Sequence, residues 1–218
     1  MENNEAVCPN CNSKISENLL TRNVPSKPVE SLIINEFYEK KTAGYCGKCA
    51  PPLIAEAYEK LQEEKINLVV AVAKLSESIL ILTLENPPGW QFKCTGPATA
   101  QASSGNGSLL ELENSAISFF SSGGEGKHLK IKLAEDRAFA QLRKKCIESD
   151  CNAVLGTKVD YQLIAGEKGP LLITASGTMV KVLNMGEIDI ARNEFLENMQ
   201  AKYTRLSYLI TLLSGYRK

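Results

Sequence analysis

The sequence predicts an α+β protein: an antiparallel sheet with packed helices, a cysteine-rich N-terminal segment and a long C-terminal helix. Three observations support this prediction. Residues 151–182 contain two β-rich runs separated by the turn-forming residues 166–170, a pattern typical of an antiparallel hairpin. Apolar residues recur at helical spacing before and after these runs. Two C-x-x-C pairs lie within the first 50 residues.

Composition restricts the possible classes of protein. Twenty-five basic and twenty-five acidic residues balance, so there is no overall field to attract nucleic acid or an anionic membrane. Residues 1–6 are polar and acidic, unlike a signal peptide, and no apolar run reaches the ~18–20 residues that a membrane span needs. We therefore expect a cytoplasmic protein whose seven cysteines are reduced and available for metal.

The cysteine pairs are the strongest chemical signal. Cys8 and Cys11 enclose two residues, as do Cys46 and Cys49, so that each pair can present two thiolates to one ion. Four thiolates form a closed tetrahedral zinc site of the structural type. The separation between the pairs exceeds the usual ~15–20 residues, and residues 29–38 within it have the apolar content of a short helix or strand. The prediction is a zinc-ribbon-like segment over residues 1–52 with structural zinc.

Other interpretations of the cysteine segment are weaker. Four free thiols at loop ends would oxidise readily, and a redox C-x-x-C normally occurs in a βαβ context. A nucleic-acid surface would have to use Tyr38 and Tyr45 with the nearby lysines, and this basic–aromatic content is low. The lysines in question are Lys40, Lys41 and Lys48.

The remaining chain divides into a linking helix, a core and a C-terminal helix. Helical spacing of apolar residues predicts a helix over residues 53–78, with Pro51 and Pro52 just ahead of it. The core, residues 79–184, contains predicted strands at 79–84 and 90–102 and a helix from Leu133. Its glycine-rich runs, 105–107 and 121–128, lack the spacing of phosphate-binding loops and indicate flexible loops.

In the C-terminal segment, residues 185–218, apolar residues at helical spacing predict a helix over 187–214. Asp189 is its predicted N-cap, and Gly215 lies just past its predicted end. Its apolar end is consistent with packing on the core or the linking helix, or with a membrane surface. Few basic residues lie on its polar face, which favours packing.

Three stretches of the core resemble the strand motifs of the YbjQ family, which is labelled heavy-metal-binding. They are Asn-Ala-Val-Leu-Gly at 152–156, Val-Asp-Tyr at 159–161 and Ala-Ser-Gly-Thr-Met-Val-Lys-Val at 175–182. Residues 95–100 resemble an earlier strand of the family. The resemblance covers residues 79–183 and implies an α+β fold and a ring-shaped homo-oligomer, often a pentamer. The family's biochemical role is not established. The cysteine segment, the linking helix and the long tail depart from the family pattern.

The core itself offers no obvious metal cluster. Its single histidine, His128, lies in a predicted loop, and Cys94, Cys146 and Cys151 are scattered along the sequence. Buried, non-ligating cysteine is the favoured interpretation of Cys146 and Cys151.

Three hypotheses for function follow. The favoured one is a non-enzymatic, metal-binding oligomeric scaffold or ligand-binding protein. The second is a small-molecule enzyme with a site at a subunit interface, although the sequence shows no nucleophile–base pair. The third is a zinc-ribbon regulator that binds nucleic acid. In the enzyme hypothesis, the polar groups of the site would be Asp160, Tyr161, Thr174, Ser176 and Thr178.

Overall fold

The structure is a computed structural model that describes residues 6–16, 23–104, 127–164 and 170–216. Its contacts divide the chain into two compact units. The first combines Met1–Leu68 with Thr204–Lys218, and the second is Val69–Tyr203. Each unit is described separately below. The division of the sequence at residues 52, 78 and 184 stays a prediction.

The described residues contain five α-helices and four β-strands. The helices are α1 (Pro28–Phe37), α2 (Ala50–Leu75), α3 (Lys127–Glu148), α4 (Met185–Ile188) and α5 (Ile190–Tyr216), and a short 3-10 turn, Ser76–Ser78, follows α2. The strands are β1 (Leu80–Ile81), β2 (Phe92–Ser103), β3 (Ala153–Leu163) and β4 (Leu171–Val182). The predicted α+β class is confirmed.

In the first unit, α1 and the adjoining parts of α2 and α5 share one hydrophobic core. Ala57 and Leu61 of α2 belong to the same cluster as Leu209 and Leu213 of α5 and Ile33 of α1. All five are buried, and the four-residue spacing within α2 and within α5 places each pair on one face of its helix. The predicted contact between the two long helices is therefore present within this unit.

A polar network joins the same three helices. The Arg205 guanidinium donates from Nε and Nη2 to the two carboxylate oxygens of Glu64, at 2.8 and 2.9 Å, and from Nη1 to Glu36. Tyr208 donates its hydroxyl to the other oxygen of Glu36, at 3.0 Å. A bidentate guanidinium–carboxylate pair fixes orientation more tightly than a single contact.

The second unit is built on a sheet with strand order β1-β3-β4-β2. The predicted hairpin of β3 and β4 is antiparallel, and so is the pairing of β2 with β4. The two-residue β1 pairs parallel to β3, so the sheet is mixed. Helix α3 contacts the sheet. Small side chains allow this close packing: Ala98, Ala100 and Ala102 of β2 and Ala134 and Ala138 of α3 are all buried.

Several element boundaries differ from those predicted. Helix α2 begins at Ala50, so that Pro51 and Pro52 lie in its first turn, where amides have no intrahelical acceptor and proline is tolerated. The N-cap prediction is confirmed, since Asp189 Oδ1 accepts a hydrogen bond from the Arg192 amide at 2.9 Å. The predicted end of this helix before Gly215 is wrong, because α5 continues through Gly215 to Tyr216.

In the core, His128 lies in α3 rather than in a loop. The predicted strand at 79–84 is shorter than expected, as only Leu80–Ile81 is a strand. The loops predicted within 105–126 and the turn residues 166–169 lie outside the described residues. Among the described helices, none combines the length and apolar content needed to cross a membrane.

Candidate metal centre

The first cysteine pair lies in a small hairpin. A bridge between Val7 and Lys14 closes the hairpin, and the Cys8 amide donates to the Ser13 carbonyl at 2.9 Å. The Asn12 amide donates back to the Cys8 carbonyl at 2.9 Å, and Asn12 has a φ of 58°, a left-handed conformation that asparagine tolerates. This turn brings the two cysteines to the same side of the hairpin.

The second pair leads directly into α2. The amides of Cys49 and Ala50 both donate to the Cys46 carbonyl, at 3.1 and 2.9 Å, in the tight turn that Gly47 begins. The Gly47 amide in turn donates to the Val24 carbonyl at 2.8 Å, which attaches the turn to the preceding chain. The pair therefore lies at the N-terminus of a long helix, a position that favours thiolates.

The structure brings all four cysteines together. The Sγ–Sγ distances are 3.7 Å for Cys8–Cys49, 3.6 Å for Cys11–Cys46 and 3.7 Å for Cys46–Cys49. All four sulfur atoms lie within 4.8 Å of one another. A tetrahedral zinc ion with Zn–S bonds of about 2.3 Å requires Sγ–Sγ edges of about 3.8 Å. The three Sγ–Sγ distances given above match that requirement.

The same distances exclude disulfides, whose S–S bond is about 2.05 Å. All four cysteines are free. Cys8 and Cys46 are fully buried, Cys49 is half-buried and Cys11 is exposed. A group of four sulfur ligands around one point, two of them shielded from water, can hold a soft or borderline metal ion.

The electrostatic setting differs between the cysteines of this group. Desolvation opposes ionisation of Cys46, but hydrogen bonds from the amides of Cys49 and Lys48 outweigh it and lower the pKa of Cys46 to about 6. Desolvation and the neighbouring thiols raise the pKa of Cys49 to about 11. Hydrogen bonding with the side chain and backbone of Ser13 lowers the pKa of Cys11. A bound cation would favour the thiolate at every one of these positions.

Asn23 connects the two cysteine loops, and the sequence analysis missed it. Its side-chain amide donates to the Lys14 carbonyl at 2.8 Å, and its oxygen accepts from the Lys48 amide at 3.2 Å. The residue is only 2% exposed. The spacing of the C-x-x-C motifs gives no sign of a buried asparagine between them, because asparagine also occurs in ordinary turns.

The position of Tyr45 weakens the nucleic-acid interpretation. Tyr45 is 2% exposed and packs in a small cluster with Ile34 and Ala50. Its hydroxyl donates to Asn35 Oδ1 at 2.8 Å. A ring enclosed in this way cannot stack on a base, so the most central aromatic of the predicted surface is structural.

The polar groups of the enzyme hypothesis are spread along the hairpin. Asp160 lies opposite Thr174, whose hydroxyl accepts from Gln101 at 3.3 Å. Tyr161 donates to the Glu135 carboxylate on α3, and both Asp160 and Tyr161 are exposed. Ser176 and Thr178 line a groove in the second unit, whereas the other three do not.

Within the described residues, the three core cysteines belong to no group of potential metal ligands. Cys146 and Cys151 are buried, and Cys94 is exposed. Cys146 donates to the Ala153 carbonyl at 3.6 Å and Cys151 to the Thr95 hydroxyl at 3.0 Å. Burial raises the pKa of Cys146, which keeps its thiol neutral. Within the part of the chain that the structure describes, the N-terminal four are the cysteine group with metal-site geometry.

Comparison with known proteins places the chain among relatives of unknown function. No protein-family model matches it. A UPF0145 protein of Bifidobacterium longum subsp. infantis is 25% identical over 105 residues, which cover 48% of this chain and 96% of the relative. A UPF0145 protein of Listeria monocytogenes is 30% identical over 64 residues, which cover 29% of this chain and 58% of the relative.

A solved structure is also similar. It is a protein of unknown function from Pediococcus pentosaceus, described as belonging to the DUF74 family, with 16% identity and a TM-score of 0.34. The match covers 48% of this chain and 97% of that one. The two UPF0145 relatives, from the family also called YbjQ or DUF74, confirm the resemblance that the strand motifs of the core predicted.

Proposed function

We propose that this protein is a non-enzymatic, oligomeric scaffold or ligand-binding protein whose first unit is held together by a structural zinc ion. The ligands are Cys8, Cys11, Cys46 and Cys49. The observation that supports this most strongly is the convergence of four Sγ atoms at spacings of 3.6–3.7 Å along three edges. Four reduced thiolates need a reducing compartment, so we place the protein in the cytoplasm.

The ligand set favours zinc in a structural role. Four sulfur ligands in a tetrahedral arrangement suit zinc, and they leave no open position for water or substrate. Catalytic zinc sites keep such a position open. The proposed ion therefore cross-links the two cysteine pairs of the chain and has no catalytic role.

The ion would stabilise a small segment of the chain. Backbone hydrogen bonds close the hairpin of residues 6–16, and its Val7 side chain is 54% exposed. Small segments with little buried apolar surface commonly depend on a metal to fold. Zinc would join this hairpin to the start of α2, beside the contact that Asn23 provides.

The second unit supports the oligomer. Strand β2 is one edge of the sheet. On the other side, β1 pairs only with Ala153 and Val154, so the rest of β3 has no neighbouring strand there within the residues described. Open edges of this kind invite pairing with another chain. Pairing of β2 in one copy with β3 in the next would be head-to-tail and would close into a ring if the rotation allowed. A pentamer is the ring size that the YbjQ resemblance implies.

Hydrogen exchange with and without a chelator tests the structural role. Removal of zinc should accelerate exchange in residues 6–16 and 45–50, while β3 and β4 keep their protection. Equal protection of the cysteine loops in both samples would mean that a metal does not stabilise them. Light scattering on the zinc-loaded protein tests the oligomer separately. A ring is expected, and a monomer at micromolar concentration would overturn that part of the proposal.

A further inference from the structure

A groove of about 340 Å³ lies on the sheet of the second unit. Its polar lining consists of Glu85, Cys94, Lys158, Ser176 and Thr178. We infer that this groove binds a small zwitterionic molecule with an apolar side chain, that is, a free amino acid. The inference specifies the ligand-binding part of the proposed function and does not depend on zinc.

Two β-bulges border the groove. On one side of β4 the register shifts between Cys94 and Gly96, and on the other side it shifts between Leu155 and Lys158. Bulges bend a sheet and re-aim side chains, and they are over-represented beside functional sites. Here both strands that pair with β4 have a bulge next to the same groove, which indicates a functional site more strongly than a single bulge would.

The bulge in β3 positions an acidic side chain. Gly156 has a φ of +59°, and its amide donates to the Leu84 carbonyl at 2.9 Å, which holds the following residue, Glu85, beside the bulge. A Cβ on Gly156 would lie 3.1 Å from the Glu85 Cγ atom. Glycine therefore provides both the left-handed backbone and the space for Glu85.

The polar groups of the groove are available to a ligand. Lys158 lies opposite Ser176 in the register of β3 and β4, so the two side chains are neighbours on one sheet face. Among the described residues, the side chains of Lys158, Ser176, Glu85 and Thr178 have no hydrogen-bond or ion-pair partner. Opposite charges with adjacent hydroxyls complement a ligand that carries both an ammonium and a carboxylate group.

The apolar lining and the size narrow the ligand class further. Phe92 is half-buried in the groove, while Leu155 and Val180 form its buried apolar part at 2% and 0% exposure. The volume is at the lower end of the range for ligand sites, about 300–1,000 Å³. A free amino acid with an aliphatic or aromatic side chain has this size and this combination of groups.

Cys94 provides a reporter, because it is exposed and lines the groove. The experiment measures the rate of Cys94 alkylation by iodoacetamide in the full-length, zinc-loaded protein, using peptide mass spectrometry. The probes are the standard L-amino acids except cysteine, whose own thiol would consume iodoacetamide, added one at a time, with hexanoate and hexylamine as compounds that lack one of the two charges. An apolar amino acid at twice its dissociation constant should slow alkylation about threefold.

Variants assign the protection to the groove. Lys158→Ala and Glu85→Gln should each abolish most of the protection, whereas Lys93→Ala, a matched change on β2 outside the groove lining, should keep it. Both groove residues are exposed, so folding should be unaffected, and circular dichroism checks this. The inference is overturned if no amino acid slows alkylation, if hexanoate or hexylamine protects equally well, or if Lys158→Ala keeps full protection. Zinc content, measured on the same samples, reports on the metal centre independently.

Discussion

The Sγ atoms of Cys8 and Cys49 lie 3.7 Å apart although 41 positions separate the two residues in the chain. The long insert between the cysteine pairs accounts for this. Its helix α1 contributes Ile34, which packs with Tyr45 and Ala50 directly beside the second pair. The insert is thus a support for the cysteine centre, because it holds one of the two loops in place.

Asn23→Ala should destabilise the first unit. The change removes two hydrogen bonds, one to the Lys14 carbonyl and one from the Lys48 amide, each with a net worth of about 0.5–1.5 kcal/mol. We also expect faster transfer of metal to a chelator. Asn67→Ala is the matched control, since Asn67 is exposed on α2. Denaturant unfolding of the zinc-loaded protein measures the effect, and equal midpoints for the two variants would refute the role given to Asn23.

Arg205→Lys should weaken the polar network of the first unit. Lysine keeps the charge but cannot make the bidentate contact with Glu64 while also reaching Glu36. Because these side chains are about one-third exposed, screening limits the loss to about 1 kcal/mol. The loss should shrink as salt is added. Lys60→Ala, which removes the exposed pair with Glu56, should leave the unfolding midpoint unchanged. A salt-independent loss would indicate a packing effect instead.

Gly177→Ala should destabilise the sheet of the second unit. A Cβ at this position would lie 2.6 Å from Val154 Cγ1 and 3.0 Å from the Leu155 carbonyl oxygen. Neither atom can move freely, since valine is stiff at χ1 and the carbonyl is backbone. Overpacking of this kind costs about 1–3 kcal/mol. Gly44→Ala has open space at its Cβ and serves as the control in thermal unfolding. Similar unfolding temperatures for both variants would contradict the close approach.

The sequence predicted those features that depend on local spacing. Apolar periodicity located α2, α3 and α5, and two β-rich runs on either side of turn-forming residues located the hairpin of β3 and β4. The C-x-x-C pairs identified the four cysteines that converge, because the number and spacing of sulfur ligands are written in the chain. Glycine within a strand is typical of a bulge or of a close backbone approach, and the structure has a bulge at Gly156 and a close approach at Gly177.

The remaining features depend on contacts between distant residues. The first turn of α2 contains Pro51 and Pro52, which sequence rules place at or before a helix start. The parallel pairing of β1 with β3 involves two residues only and leaves almost no pattern. The groove beside Lys158 requires three strands in register and two bulges, so no single stretch of sequence could reveal it.

Elemental analysis tests the central claim most directly. The full-length protein is purified from zinc-sufficient medium without added metal, and its metal content per chain is measured together with that of Cys46→Ser and Cys94→Ser. The structure predicts about one zinc ion per chain in the wild type and in Cys94→Ser, and a large loss in Cys46→Ser. Wild-type protein without bound metal, in which Cys8, Cys11, Cys46 and Cys49 are all alkylated under native conditions, would contradict the account.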